Sequence, residues 1–159
     1  MRKRGARRPR PPDAGAFLRA IGLQQQLDGG QQLDLTLAVR AAAQALRCGA
    51  GLEHHVHTLA SAVNVALVLA ERGAGLEFQD AIVAGQTALV RTIERGRRTG
   101  RWGFDGPALA EVDAAIAVYE AQLAAVPCIT ALDAVREVTR RVNQGHVFEV
   151  VREGVPDGA

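Results

Sequence analysis

The chain has 159 residues, of which 48% are hydrophobic and only 4% aromatic, and it carries a formal net charge of +2. The length suits one domain with a substantial core, and apolar content drawn from alanine, leucine and valine favours packed helices over a sheet. Two cysteines, Cys48 and Cys128, predict buried free thiols in a reducing cytoplasm rather than a disulfide.

The chain begins with a basic segment, residues 1–13, which we predict to be a disordered tail. Its first ten residues hold six basic side chains and no acid, and prolines follow, so little apolar surface is available for folding. The remaining chain, residues 13–159, has 13 basic and 17 acidic side chains. A tail with a net charge of +6, attached to a body with a net charge of −4, can attract DNA or RNA. It can also simply keep the protein soluble. The predicted nucleic-acid contacts in the tail are Arg2, Lys3, Arg4, Arg7, Arg8 and Arg10.

No secretory signal and no membrane span are predicted. The basic start is followed by prolines and Asp13 instead of an apolar region. The most apolar stretch, residues 59–70, is shorter than the ~20 residues that a membrane-spanning helix needs. We therefore predict a cytoplasmic protein without membrane contact.

Residues 33–145 are predicted to form a compact all-α bundle of four to five helices in antiparallel hairpins. Residues 14–32 indicate a short helix or a linker, and residues 146–159 an extended tail or a short strand. Apolar residues at helical spacing predict helices at about 33–48, 52–72, 76–99, 107–126 and 130–143.

The second predicted helix is apolar on more than one face. Most of its apolar residues share one arc, but Val65, Val68 and Leu69 lie on other sides. A helix of this kind is either central or in contact with a second chain. These three residues are therefore the predicted partner-binding face, for a host protein or for another copy in a homo-oligomer.

Two further patterns concern helix ends and faces. GAGLE occurs at 49–53 and at 73–77, and the first glycine of each copy can adopt the left-handed conformation that ends a helix. In the last predicted helix, Thr130 and Asp133 have the spacing of a capping box. Its inner face is predicted from Val135, Val138 and Val142.

An arginine-rich loop, residues 91–105, begins within the last turns of the third predicted helix and contains the only tryptophan. Arginines among aromatic rings suit single-stranded nucleic acid, because guanidinium groups contact phosphates while bases stack on the rings. The alternative is a helix end, in which Gly100 is the cap, the arginines complement the helix dipole and the tryptophan packs back on the helix. The candidate binding residues are Arg95, Arg97, Arg98, Arg101 and Trp102.

Catalytic and metal sites are not predicted. Glu53 and His57 are four apart on a helix, and His54 lies three before His57, but zinc needs three or four ligands and no further cluster completes the set. Four carboxylates considered for catalysis are spread around helix 107–126 and its cap and do not converge on one face; they are Asp105, Glu111, Asp113 and Glu120. The sequence lacks a phosphate loop, a nucleophile elbow and an H-E-x-x-H motif, so we predict a non-enzymatic protein without cofactor or metal.

Three stretches, TLASAVNVALVLAERGAG, RRTGRWGFDG and EVTRRVNQGHVFEV, resemble a family of small proteins of proteobacterial phages, prophages and mobile elements. Family members often carry the label "Fis family transcriptional regulator". The resemblance covers most of residues 38–150 and implies a mobile-element context, while the mechanism stays unassigned. No basic recognition helix of the kind that ends authentic Fis follows Arg141.

Two functions are predicted from these observations. The first is a phage or mobile-element accessory protein that acts by binding, as a nucleic-acid-associated regulator. The alternative is a protein-interaction module that inhibits or modulates a host factor, in host takeover or in defeating a defence system.

Overall fold

The computed structural model describes Leu27 and residues 29–146. Over this range the chain forms no strand, which confirms the predicted all-α class. The helix ends lie within a few residues of the predicted ones, and a single 3-10 turn precedes the third helix at Leu76–Phe78. The helices are α1 (Gly29–Arg47), α2 (Glu53–Glu71), α3 (Gln79–Thr99), α4 (Gly106–Ala125) and α5 (Cys128–Asn143).

Some predictions concern residues that the structure does not describe. The disordered basic tail at 1–13 and the extended segment or strand at 147–159 both lie outside the described residues. Of the segment predicted as a short helix or linker, α1 includes residues 29–32, so the first helix starts four residues earlier than predicted.

Helix α2 lies at the centre of the bundle and packs against all four other helices. Val65, Val68 and Leu69 are 6%, 2% and 0% exposed. The prediction that they form a partner-binding face is therefore wrong, because other helices of the same chain already cover them. A helix that is apolar on several faces is here the buried centre of a single chain.

Truncation of a central side chain provides a test of this position. We expect Leu69→Ala to lower the free energy of unfolding by about 2–5 kcal/mol, because it removes buried methyl groups and leaves a cavity. Urea unfolding at several protein concentrations measures it, with Val83→Ala on the exposed side of α3 as the control. A midpoint that rises with protein concentration would contradict a single-chain core, because it would indicate stabilisation by association.

Side-chain pairs show that neighbouring helices run antiparallel. Between α2 and α3, Arg97 pairs with Glu53 near one end, and Gln86 donates to Asn64 further along. Between α1 and α4, Arg47 pairs with Asp113 and Arg40 with Glu120. The antiparallel hairpins predicted from the sequence therefore describe this core.

Three helices end in the same glycine turn. Gly49, Gly73 and Gly145 have φ values of +76°, +95° and +75°. In each turn the next residue donates its N–H to a carbonyl five residues back, over 2.9 Å in all three cases. Both GAGLE predictions are confirmed, and the turn at Gly145 is a third copy that the sequence did not reveal.

Helix α5 begins and packs differently from the prediction. It starts at Cys128 after an extended Pro127, without a side-chain cap, so the predicted capping box is absent. Ala131 and Ala134 are its buried residues, whereas Val135 and Val142 are about half exposed. Of the predicted inner face only Val138 packs on the core. The buried face of α5 is therefore formed by small alanines and not by the valines at 135 and 142.

Ion pairs formed by arginines attach the exposed side of α5 to α2 and link neighbouring side chains of α5. Arg141 joins Glu71 of α2 at 2.6 Å and Glu137 of its own helix at 2.8 Å. Hydrogen bonds from Arg140 and then from Arg141 lower the pKa of Glu137 to about 2. Glu137 thus remains charged, and paired with Arg140 and Arg141, far below the pH at which an ordinary glutamate is protonated.

Both cysteines are free thiols, as predicted. They are not both buried, however. Cys48 is exposed at the end of α1, where its Sγ accepts a hydrogen bond from Gln44 at 3.0 Å, and Cys128 is partly exposed.

Candidate binding surfaces

Only the second part of the arginine-rich loop is a loop in the structure, since residues 91–99 belong to α3 and residues 100–105 turn the chain into α4. Gly100 ends α3 with a φ of +71°, and its N–H donates to the Gly96 carbonyl at 2.8 Å. Asp105 starts α4 by accepting the Ala108 N–H at 2.8 Å. Both caps follow from local sequence, because glycine tolerates the left-handed region and aspartate is a preferred N-cap.

Trp102 is attached to the bundle at two points. Its backbone forms an isolated antiparallel bridge with Gly51. Its ring packs against Gly96, where the absence of a side chain leaves room for it. A Cβ built on Gly96 would lie 2.6 Å from the ring Cζ3. The ring is therefore a packing residue of the helix end, as in the alternative drawn from the sequence, and only part of it remains accessible to a ligand.

We expect Gly96→Ala to displace the Trp102 ring, because the added methyl group occupies the position of the ring. Trp102 is the only tryptophan, so its emission should shift to the red and become more sensitive to acrylamide. Gly106→Ala, where an added Cβ meets nothing within 4 Å, is the matched control. Unchanged emission from the Gly96 variant would mean that the ring does not depend on this contact.

Two of the four candidate arginines near Trp102 already have acidic partners. Arg95 joins the Asp105 carboxylate at 2.6 Å and also donates to the Gly103 carbonyl, so its guanidinium holds the loop. The Ala108 N–H and then the Arg95 hydrogen bond lower the pKa of Asp105. Arg97 pairs with Glu53 of α2 at 3.2 Å. These two arginines are thus positioning groups rather than free cations.

Arg98 and Arg101 are exposed and have no ion-pair partner among the described residues. Arg101, Arg95 and Trp102 line a shared depression of about 840 Å³ beside the backbone of Gly49. Arg97 and Arg98 do not contribute to it. The structure therefore brings together three of the five candidate residues of the loop, with one unpaired cation at the rim.

The histidines at the start of α2 have separate roles. His55 Nδ1 accepts the Leu52 N–H at 3.0 Å and so caps the helix, while His57 lies 3.6 Å from Glu53. Among residues 29–146, no group of three or more His, Cys, Asp or Glu side chains is placed to hold a metal ion.

The four carboxylates considered for catalysis each have their own arginine. Asp105 pairs with Arg95. Glu111 pairs with Arg91, Asp113 with Arg47 and Glu120 with Arg40. They therefore serve as helix-to-helix ties, at separate places on the surface.

A groove that the sequence did not indicate runs between α2 and α3, with α5 closing one end. It has a volume of about 520 Å³ and apolar walls that include Leu89, Ile93 and Val138. Gln86 is 4% exposed and donates to Asn64 Oδ1 at 2.8 Å. Its Oε1 is buried without a partner. We call this feature the amide groove.

A second groove, of about 390 Å³, lies between α4 and the turn that precedes α3, beside the half-exposed Phe78. Gln122 lines it and donates to the carbonyls of Ala66 at 3.0 Å and Ala74 at 2.7 Å. Gln122 thereby ties the turn to α4, while its Oε1 is buried without a hydrogen-bond partner.

One sequence signal could have revealed the amide groove. Gln86 falls on the apolar stripe of α3, four residues after Ile82 and three before Leu89, where a polar side chain needs a hydrogen-bond partner. Asn64 interrupts the most apolar stretch of the chain in the same way. The two positions are linked only when α2 and α3 pack together.

The sequence matches no protein-family model, no curated protein and no solved structure. None of the described helices is both long and apolar enough to cross a membrane.

Proposed function

We propose that this chain is a non-enzymatic accessory protein that binds nucleic acid through its basic N-terminal tail. The observation that carries the proposal is the distribution of charge. Within residues 29–146 most arginines have acidic partners, and those without one are Arg72, Arg98 and Arg101. The tail has six basic side chains and no acid in its first ten residues, so attraction to phosphates is concentrated there.

The phage and mobile-element context is part of this proposal and rests on the resemblance of residues 38–150 to that family. A cytoplasmic location is also part of it, supported by the free thiols of Cys48 and Cys128. The bundle then acts as the carrier of the tail, and Arg98 and Arg101 add a secondary contact near Trp102.

Neutralising the tail in the full chain tests the proposal. We expect the substituted chain to lose most of its affinity for duplex DNA and single-stranded RNA in low salt, measured by fluorescence anisotropy of labelled oligonucleotides. The substitutions are Arg2→Gln, Lys3→Gln, Arg4→Gln, Arg7→Gln, Arg8→Gln and Arg10→Gln, and we call this chain the six-glutamine variant.

A second variant separates the tail from the bundle. Arg72→Gln, Arg98→Gln and Arg101→Gln remove the unpaired arginines of the bundle, and we expect a small effect on affinity. If this variant loses binding while the six-glutamine variant keeps it, the bundle and not the tail is the nucleic-acid contact. If the unmodified chain binds neither nucleic acid, the proposal is wrong.

The amide groove favours the second candidate function, a module that binds proteins. Its apolar walls and the unpartnered Gln86 oxygen suit a peptide segment. To test for protein binding, nuclease-treated host lysate is passed over the immobilised chain and over a Gln86→Leu variant, and the proteins that each retains are compared. A host protein retained only by the unmodified chain supports the second candidate.

A further inference from the structure

The second groove, between α4 and the turn that precedes α3, is lined by small apolar side chains. Ala117, Ala121 and Ala125 follow one another at intervals of four on α4, so they share one face of that helix. Ala74 and Val118 add to the walls, and no charged side chain of the described residues lines the groove. Its volume of about 390 Å³ is that of a small-molecule pocket, for which about 300–1,000 Å³ is usual. We call it the alanine groove.

A buried amide on this groove has an acceptor without a partner. Gln122 lines the groove and is only 4% exposed. Its Nε2 donates to the carbonyls of both Ala66 and Ala74, which fixes the orientation of the amide, because a flipped oxygen would face two carbonyl oxygens. The unpaired atom is therefore Oε1, and it has no donor among the described residues. A buried acceptor in this state favours a ligand that brings an N–H or O–H group.

A gap at Gly75 lies between this amide and the aromatic ring beside the groove. Gly75 has a φ of +79°, which favours glycine. A Cβ built on it would lie 3.5 Å from Gln122 Nε2 and 3.5 Å from Phe78 Cδ2, so the missing side chain leaves room for a small group between the amide and the ring. Phe78 is 49% exposed, and its ring can therefore contact an apolar ligand.

The charges near the alanine groove disfavour anionic ligands. Glu77 and Asp80 lie on either side of Phe78 in the sequence and are both exposed. Neither has an ion-pair partner among residues 29–146. Their negative potential opposes the approach of an anion and does not oppose a neutral molecule or a cation.

We propose that the alanine groove binds a small apolar molecule that carries one N–H or O–H donor and no negative charge. The apolar body of the ligand lies on Ala117 and Ala121 and against the ring of Phe78. Its donor pairs with Gln122 Oε1 beside Gly75. This site is separate from the basic tail and from the amide groove, so it depends on neither candidate function.

Three related probes added to the full chain test the proposal. Indole has an apolar ring with one N–H donor, N-methylindole has the same ring without the donor, and indole-3-carboxylate adds a negative charge. Titrations followed by two-dimensional nitrogen–proton NMR spectra report which backbone amides respond. We expect indole to shift the amides of Gly75, Ala121 and Gln122. It should bind about tenfold more tightly than N-methylindole, near the upper limit of what one hydrogen bond contributes, and more tightly than indole-3-carboxylate.

Two alanine variants on α4 locate the site. Ala121 and Ala124 are both exposed, but only Ala121 lines the groove. Ala121→Leu fills the groove and should abolish indole binding, whereas Ala124→Leu should leave it unchanged. Both changes put a strong helix former on the surface, and circular dichroism checks that the helix content is kept. The acceptor is tested by the pair of probes and not by substitution, because Gln122 also ties the turn to α4.

The possible results separate the parts of the proposal. Equal affinities for indole and N-methylindole would overturn the role of Gln122 Oε1, and tighter binding of indole-3-carboxylate would overturn the assigned charge. Indole binding that survives Ala121→Leu, or amide shifts confined to another part of the chain, would overturn the site. No binding of indole at millimolar concentrations would overturn the proposal as a whole.

Discussion

Gly85→Leu should prevent the bundle from folding. Gly85 lies where α3 and α4 touch, and a Cβ at this position would lie 2.5 Å from the Ala115 Cβ and 3.3 Å from the Glu111 carbonyl oxygen. Overpacking a core typically costs about 1–3 kcal/mol, and a leucine here must also separate two helix backbones. Because natural domains are stable by only about 5–15 kcal/mol, we expect a loss of the cooperative urea transition.

A smaller pair of changes shows whether the close approach is the cause. Gly85→Ala adds only the clashing methyl group, and combining it with Ala115→Gly removes the methyl group that it meets. We expect the double variant to be more stable than Gly85→Ala alone. Wild-type stability for Gly85→Leu, or no rescue in the double variant, would show that α3 and α4 do not approach so closely.

Affinity for duplex DNA should fall by about 1000-fold between 50 and 200 mM salt. Each neutralised phosphate contributes about −0.9 to the slope of log affinity against log salt. Six tail charges that all contact phosphates would give a slope near −5 by this rule. Anisotropy titrations on two unrelated duplexes measure it, and both should give the same slope because the contacts are to the backbone.

The six-glutamine variant separates the sources of this slope. If Arg98 and Arg101 of the bundle also contact phosphates, they add about −2 to the slope that the tail produces, and the six-glutamine variant should keep only that residual slope. A steep slope that the variant retains in full would mean that the tail is not the polyanion contact. A slope near zero in the unmodified chain would remove the basis of the nucleic-acid proposal.

The fold follows largely from local patterns. Helical spacing located all five helices, and glycine chemistry located the turns at Gly49, Gly73 and Gly100. The failures concern which face is buried. Val135 and Val142 suggested the inner face of α5, but the smaller Ala131 and Ala134 pack inward. Hydrophobicity identifies candidate faces of a helix, but it does not show which of them the neighbouring helices cover.

The candidate site was less predictable, because its decisive contacts join distant parts of the chain. The partner of Arg97 is Glu53, 44 residues earlier, so its neutralisation cannot be deduced from the arginine-rich loop alone. Gln86 and Asn64 are 22 residues apart and meet only after packing. Trp102 was the exception, since Gly100 and the preceding helix already indicated its role as a packing residue.

The central position of α2 implies an order in which parts of the protein open. Amide hydrogens of α2, surrounded by four helices, should exchange with solvent only through global unfolding. Helix α5, with only Ala131 and Ala134 fully buried and the rest held by surface ion pairs, should exchange through a less costly local opening. Such an opening would remove the Val138 wall of the amide groove, so access to that groove is governed by α5 and not by the core.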